Sequence, residues 1–312
     1  MNLASAIDQY IHARRAASGR YKSPVGTLYA LSRHCEGRAL HHITAADVLR
    51  YLNNAHNKPV TWQNKYGTLK VFFEYWRVRG KLKKIPMPPR PKAVRTFVPY
   101  IFSKEEVRAL LDTVPECQSH PSCAIPALTL QTILLLLYGT GMRIGEVLRL
   151  RVSDVALDDS LITVWESKFF KSRLVPVGKD LCQVLLNYAQ RTQPANQNNA
   201  PFFFSHNSKK IASTTMSTTF QRLRKLAGVQ RRDAAASEEP RLHDLRHTFS
   251  VNRVTEWYRQ GADVQNLIFS LSTYLGHVRL RSTQHYLSMT PELLEQANRR
   301  FEVYARGGRD DR

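Results

Sequence analysis

His243 and Arg246 stand three residues apart in the stretch Leu242-His243-Asp244-Leu245-Arg246-His247-Thr248-Phe249, so on a helix they face the same side. An imidazole and a guanidinium together at a helix N-terminus form an anion site. The guanidinium offers a planar fork of donors, and the helix dipole adds positive charge. The element that must carry them is marked in the same stretch. Leu242, Leu245 and Phe249 recur at spacings of three and four, the pattern of a buried helix side. Pro240 and Asp244 suit a helix start, where a carboxylate is favoured. His247 falls about 100 degrees round the helix from Arg246 and reads as structural. A second arginine, Arg143, follows Gly139-Thr140-Gly141-Met142, which stops an almost wholly apolar helix over residues 128 to 138. Ile144, Val147 and Leu148 form a core face just after it, so Arg143 opens a well-packed helix.

The whole chain is strongly basic. Of its 312 residues, 46 are Lys or Arg and 25 are Asp or Glu, a formal net charge of +21. That imbalance points to a polyanion partner, with nucleic acid the first reading. The length suits two domains with real cores. The cysteines, Cys35, Cys117, Cys123 and Cys182, form no C-x-x-C pair and no zinc-type spacing with histidine, so they read as reduced thiols. The first residues lack the basic-then-apolar pattern of a secretion signal, and the apolar run from Ile133 to Tyr138 is too short to span a membrane. A cytoplasmic protein associated with DNA is expected, with no metal and no cofactor.

Helical periodicity dominates the first part of the chain. Ala4, Ile7, Tyr10 and Ile11 mark one helix over residues 3 to 17, and Leu28 and Leu31 mark another after Ser23-Pro24. Thr44 with Asp47 forms a capping box for a third, with Val48 and Leu52 inward. Trp62, Tyr66, Leu69, Phe73 and Trp76 draw one apolar stripe on a fourth, with Lys65, Lys70, Arg77 and Arg79 off that stripe and suited to phosphates. Residues 86 to 95, Pro-Met-Pro-Pro-Arg-Pro-Lys-Ala-Val-Arg, cannot continue a helix and read as a semi-rigid connector. Ser103 and Glu106 then cap a helix through Val107, Leu110 and Leu111. Strand character appears in Leu161–Trp165 and Arg173–Val177, with Pro176 suggesting a sheet edge. Helices return around 180–191, 213–227, 241–257 and 263–275, with a surface loop from Arg231 to Glu239. Ser282 or Thr283 is placed as the cap of a short helix carrying Tyr286, and Leu293, Leu294, Ala297 and Phe301 draw an apolar face on a last helix over 292 to 304.

Taken together, Thr140-Gly141-Met142-Arg143-Ile144-Gly145-Glu146, His243-Asp244-Leu245-Arg246-His247-Thr248, and Leu275-Gly276-His277 with Tyr286 nine residues on resemble the signature boxes of the tyrosine recombinases, the phage integrase family. Lys168, ahead of Arg173-Leu174-Val175-Pro176, resembles that family's hairpin lysine, with Lys171 as the alternative. The resemblance covers residues 100 to 300 in order and spacing.

It implies a mainly α fold: a helical core-binding domain over residues 1–86, a Pro-rich basic linker over 87–98, and a mostly helical catalytic domain with a small antiparallel sheet over 99–305. Residues 306–312 are expected as a disordered tail. The implied activity is site-specific cleavage and rejoining of duplex DNA through a 3′-phosphotyrosyl intermediate. Attack on a phosphodiester builds negative charge on the nonbridging oxygens, and Arg143 and Arg246 can each meet it with two donors. His243 and His277 can donate to the same oxygens, and the resemblance makes His243 a candidate to accept the tyrosine proton as well. Tyr286 is the implied nucleophile and Lys168 the general acid for the departing 5′ oxygen. Glu146 reads as a buttress for an arginine or histidine. No metal or ATP is needed on this reading. The implied assembly is a tetramer on two DNA sites, with the last helix docking in trans. Two alternatives share parts of this sequence pattern: a topoisomerase IB-like strand transferase, and a sequence-specific DNA-binding regulator without activity.

Overall fold

The computed structural model describes residues 1–18, 21, 24–53, 59–91, 98–165, 172–192, 199–231, 238–276, 283, 286, 295 and 298. The chain divides into two compact units, Met1–Thr96 and Phe97–Arg312. Lys168, Lys171, His277 and Ser282 lie outside the described residues, as do the tail and, apart from Glu295 and Asn298, the helix expected over 292–304. No described helix is long and apolar enough to cross a membrane.

The first unit is built from α1 (Leu3–Ser18), α2 (Val25–His34), α3 (Ala45–Leu52) and α4 (Pro59–Val78). Each buries the stripe its periodicity marks. Ile7, Tyr10 and Ile11, then Leu28 and Leu31, then Val48 and Leu52, then Tyr66, Leu69, Phe73 and Trp76 all lie in the core. On α1 the inward positions are completed by Leu3 and Ala6, while Ala4 is only half-buried. The capping box of α3 is present: Thr44 Oγ1 accepts the Asp47 N–H at 3.2 Å, and Asp47 Oδ2 accepts the Thr44 N–H at 2.9 Å. Part of the Pro-rich stretch lies along α4. The Tyr66 hydroxyl donates to the Pro88 carbonyl at 3.1 Å, and Arg90 Nε donates to Gln63 Oε1 at 2.8 Å. Residues 92–97 lie outside the described residues.

The second unit runs α5 (Lys104–Cys117), α6 (Ala127–Thr140), α7 (Ile144–Val147), β1 (Val155–Ala156), β2 (Leu161–Val164), β3 (Arg173–Pro176), α8 (Lys179–Thr192), α9 (Ser213–Leu226), α10 (Asp244–Arg259) and α11 (Val264–Leu275). The apolar α6 is its central element and packs against α5, α8 and α10. Leu130, Ile133, Leu134, Leu136 and Leu137 are buried around its circumference, as expected for a helix apolar on every side. Full burial of side chains of this size contributes about 1.5–3 kcal/mol each. The sheet is antiparallel with order β1-β2-β3, and Val164 pairs with Arg173 at the end where β2 and β3 meet the hairpin. Ile162, Val164 and Val175 face the core, and Pro176 stands on an edge strand. The sequence reading lacked β1, which at two residues is too short to show periodicity.

Candidate active site

Two helices end in left-handed glycines, and those ends hold the arginines. Gly141 caps α6 with φ of 61°, and Gly276 caps α11 with φ of 65°. The last carbonyls of a helix have no partner within it and carry the negative end of its dipole. Arg246 satisfies two such ends at once: Nη1 donates to the Gly141 carbonyl at 2.7 Å and Nη2 to the Leu275 carbonyl at 2.6 Å. Arg143 donates through Nη2 to the Gly276 carbonyl at 3.0 Å. At Gly141 a side chain would also meet Phe249 of α10, since a Cβ there would lie 2.5 Å from Cδ1 of that ring. The left-handed turn and the close approach together require glycine.

Glu146 ties this frame to the sheet. It is 4% exposed and accepts from Arg143 Nη1 at 2.8 Å, from the Arg143 backbone N–H at 3.0 Å, and from Arg173 Nη1 and Nη2 at 3.1 and 2.7 Å. Burial alone would raise its carboxyl. The hydrogen bonds and charge of Arg173, then those of Arg143, outweigh burial and hold it down at about 2. The expected buttress therefore serves two arginines, and one of them, Arg173, stands at the first position of β3. With two donors of Arg143 committed to Glu146 and Gly276, the rest of its fork lies on a side chain a quarter exposed.

Arg246 is 2% exposed. Burial, then the charge of Arg143, lowers it to about 10, which leaves it a cation at neutral pH. Tyr286 is 2% exposed, and burial raises its phenol. The Arg246 charge, hydrogen bonding with Ser250, the Arg143 charge and a hydrogen bond with Arg246 oppose that rise. His247 Nδ1 lies 3.1 Å from the Tyr286 hydroxyl oxygen. His243, the N-cap of α10, stands exposed with its ring edge-on to His247 at 5.1 Å between centroids. The protein packed on its inner side, then His247 and Arg246, push His243 toward the neutral imidazole.

Among the residues singled out from sequence, the structure gathers Arg143, Arg246 and Tyr286, and sets His243 at the edge of the group. Lys168 and His277 lie outside the described residues. Two residues that the structure brings to this group, His247 and Arg173, are not among the site residues expected from sequence. For His247 a signal was present: His243, Arg246, His247 and Ser250 follow the i, i+3, i+4, i+7 spacing of a single helix face. For Arg173 nothing in its strand distinguishes it from a surface arginine.

Paired arginines pinned on helix ends, with a phenol against one of them and an imidazole against the phenol, can meet negative charge and present a nucleophile beside it. The phage integrase family model matches residues 101–292. The chain is 34% identical over 307 residues to an integrase/recombinase (y4rB) of Sinorhizobium fredii, covering 95% of this chain and 96% of that one. It is 30% identical over 266 residues to the tyrosine recombinase XerC of Staphylococcus aureus, covering 84% and 82%. The Tn1549 transposon integrase in complex with transposon right end DNA has the same fold at a TM-score of 0.70, with 17% identity over 98% of this chain and 100% of that chain. A lambda integrase tetramer bound to a Holliday junction follows at 0.65, with 19% identity over 92% and 77%. The chain belongs to the phage integrase family.

Proposed function

We propose that this protein is a site-specific recombinase that cleaves and rejoins duplex DNA through a 3′-phosphotyrosyl intermediate. The observation that carries the reading is the contact of the Arg246 guanidinium with the Tyr286 hydroxyl, which puts the charge-stabilising group and the nucleophile together. In the reaction Tyr286 Oη attacks the phosphorus and the bond to the 5′ oxygen breaks. Arg143 and Arg246 hold the nonbridging oxygens, with His243 and His277 donating to them. Lys168 gives a proton to the departing 5′ oxygen, because an alkoxide is a poor leaving group. The guanidinium charges do the electrostatic work a metal would do, and the bond energy kept in the phosphotyrosyl ester makes religation possible without ATP or metal. Residues 1–86 serve as the DNA-binding domain, 87–98 as the connector and 99–305 as the catalytic domain. The net charge of +21 supports a clamp on duplex DNA.

Four copies act on two DNA sites, with the helix over 292–304 docking on a neighbouring copy and the protein residing on DNA in the cytoplasm. The solved lambda integrase tetramer supports the assembly by analogy. Family membership favours recombination over both a topoisomerase-like strand transferase and an inactive regulator. The test is a nicked duplex carrying the DNA that flanks the gene, incubated in EDTA without ATP. A detergent-stable protein adduct on the 3′ end is expected. No adduct, or an adduct that forms only when magnesium is restored, would contradict the proposal.

A further inference from the structure

We infer that His247 is the group that takes the proton from Tyr286. The inference rests on the recombinase reading above and assigns a further residue to that reaction. The phenol is buried and its pKa is raised by that burial, so attack near neutral pH needs a base in contact with the hydroxyl. His247 Nδ1, at 3.1 Å from the Tyr286 oxygen, is within hydrogen-bond reach. His243, one turn earlier, has its ring against His247, with 5.1 Å between the ring centroids. Two further described residues contact the hydroxyl: Arg246, which has no acceptor, and Ser250, whose own hydroxyl donates to the Arg246 carbonyl at 2.9 Å and is not a base.

The Tyr286 O–H bond breaks and the proton passes to His247 Nδ1, the tautomer being the one with Nδ1 unprotonated. The phenolate oxygen forms its bond to phosphorus, and the bond to the 5′ oxygen breaks, its electron pair leaving with that oxygen, which the general acid protonates. On religation the 5′ hydroxyl attacks, Tyr286 leaves as phenolate, and His247 returns the proton. Among the described residues, His243 and Arg246 from its own helix and Tyr286 face His247.

A base and a structural histidine are separated by changing the acidity of the phenol. His247→Asn keeps an acceptor atom near the Nδ1 position but removes the base, and His247→Gln removes the imidazole without charge. Both are expected to bind DNA and to lose about 10²- to 10⁴-fold in single-turnover cleavage of the nicked duplex. Trifluorotyrosine incorporated at position 286 ionises far more readily and needs little help, so it is expected to restore most of that loss in both variants and none in Arg246→Ala. In the otherwise unchanged protein, trifluorotyrosine at 286 is also expected to hold the cleavage rate as pH falls through the range where imidazole is protonated, while the tyrosine protein slows. Unchanged cleavage by the His247 variants, failure of the acidic phenol to restore them, restoration confined to His243→Gln, or equal slowing of both proteins at low pH would each overturn the assignment. The wild-type adduct itself reports separately on the recombinase reading.

Discussion

Arg173, at the head of β3, donates to both carboxylate oxygens of Glu146, at 3.1 and 2.7 Å. Glu146 also holds Arg143, so one buried carboxylate links the strand that follows the hairpin to the arginine at the start of α7. The arrangement places two cations against one anion. It is poised to hold guanidiniums that must meet further negative charge, and it makes the carboxylate the weak point of the frame.

Stability should therefore follow the charge of Glu146. Its carboxyl is held at about 2 against an ordinary value of 4.5. A lowered value adds stability that is present above pH 4.5 and is lost as pH falls from there toward 2. The shift is equivalent to about 3 kcal/mol. Glu146→Ala, which leaves two partly buried guanidiniums without their carboxylate, is expected to cost about 3 kcal/mol at pH 7 in urea unfolding. The stability gap between wild type and Glu146→Gln should narrow as pH drops below 4.5; parallel curves down to pH 3 would show that the carboxylate charge is not what the frame uses.

Gly141→Ala tests the helix-end cradle. The residue sits at φ of 61°, and an added Cβ would lie 2.5 Å from the Phe249 ring. Left-handed backbone costs a non-glycine residue about 1–2 kcal/mol before the clash is counted. Because the Gly141 carbonyl holds Arg246, cleavage should fall by more than the loss of folded protein explains. A variant with wild-type melting temperature and cleavage rate would show that the cradle is dispensable.

Much of this architecture is legible in the residues themselves. The capping boxes at Thr44 and Ser103, the stripe on α4 and the apolar α6 give helices where periodicity is strong and burial is one-sided or complete. The H-x-x-R pair and Arg143 are legible because both open helices beside recognisable core faces. The contact of His247 with Tyr286 is not legible from its angle to Arg246, but the polar face of α10, which runs from His243 to Ser250, includes it. Arg173 was not legible at all. Its role comes from a long-range pairing with Glu146, and no local pattern in a four-residue strand encodes a contact 27 positions away.

The formal charge of +21 predicts a steep salt response. Six to ten neutralised phosphates would cost roughly 10³- to 10⁵-fold in affinity between 50 and 200 mM salt. Fluorescence anisotropy on labelled duplex across that range measures the slope of log affinity against log salt. A slope near that of one or two contacts would rule out a clamp.

Lys168 is separable from the arginines by the leaving group. Lys168→Ala should slow cleavage of ordinary DNA by about 10²- to 10⁴-fold, the usual contribution of a general acid. A substrate with sulfur at the 5′-bridging position leaves as a thiolate and needs little protonation. It should restore Lys168→Ala and leave Arg143→Ala slow, because the role proposed for the arginine is on the nonbridging oxygens. Restoration of Lys171→Ala instead would move the acid to that residue.

The identity of the residue joined to DNA decides the central claim. Nicked duplex that loses its short fragment after attack traps the intermediate, and digestion of the adduct followed by mass spectrometry of the nucleotide-bearing peptide locates the bond. A single linkage is expected, at Tyr286 and to a 3′ phosphate, and Tyr286→Phe should bind the same DNA but yield no adduct. A linkage mapped to Tyr274 or Tyr258, or an adduct formed by Tyr286→Phe, would contradict it.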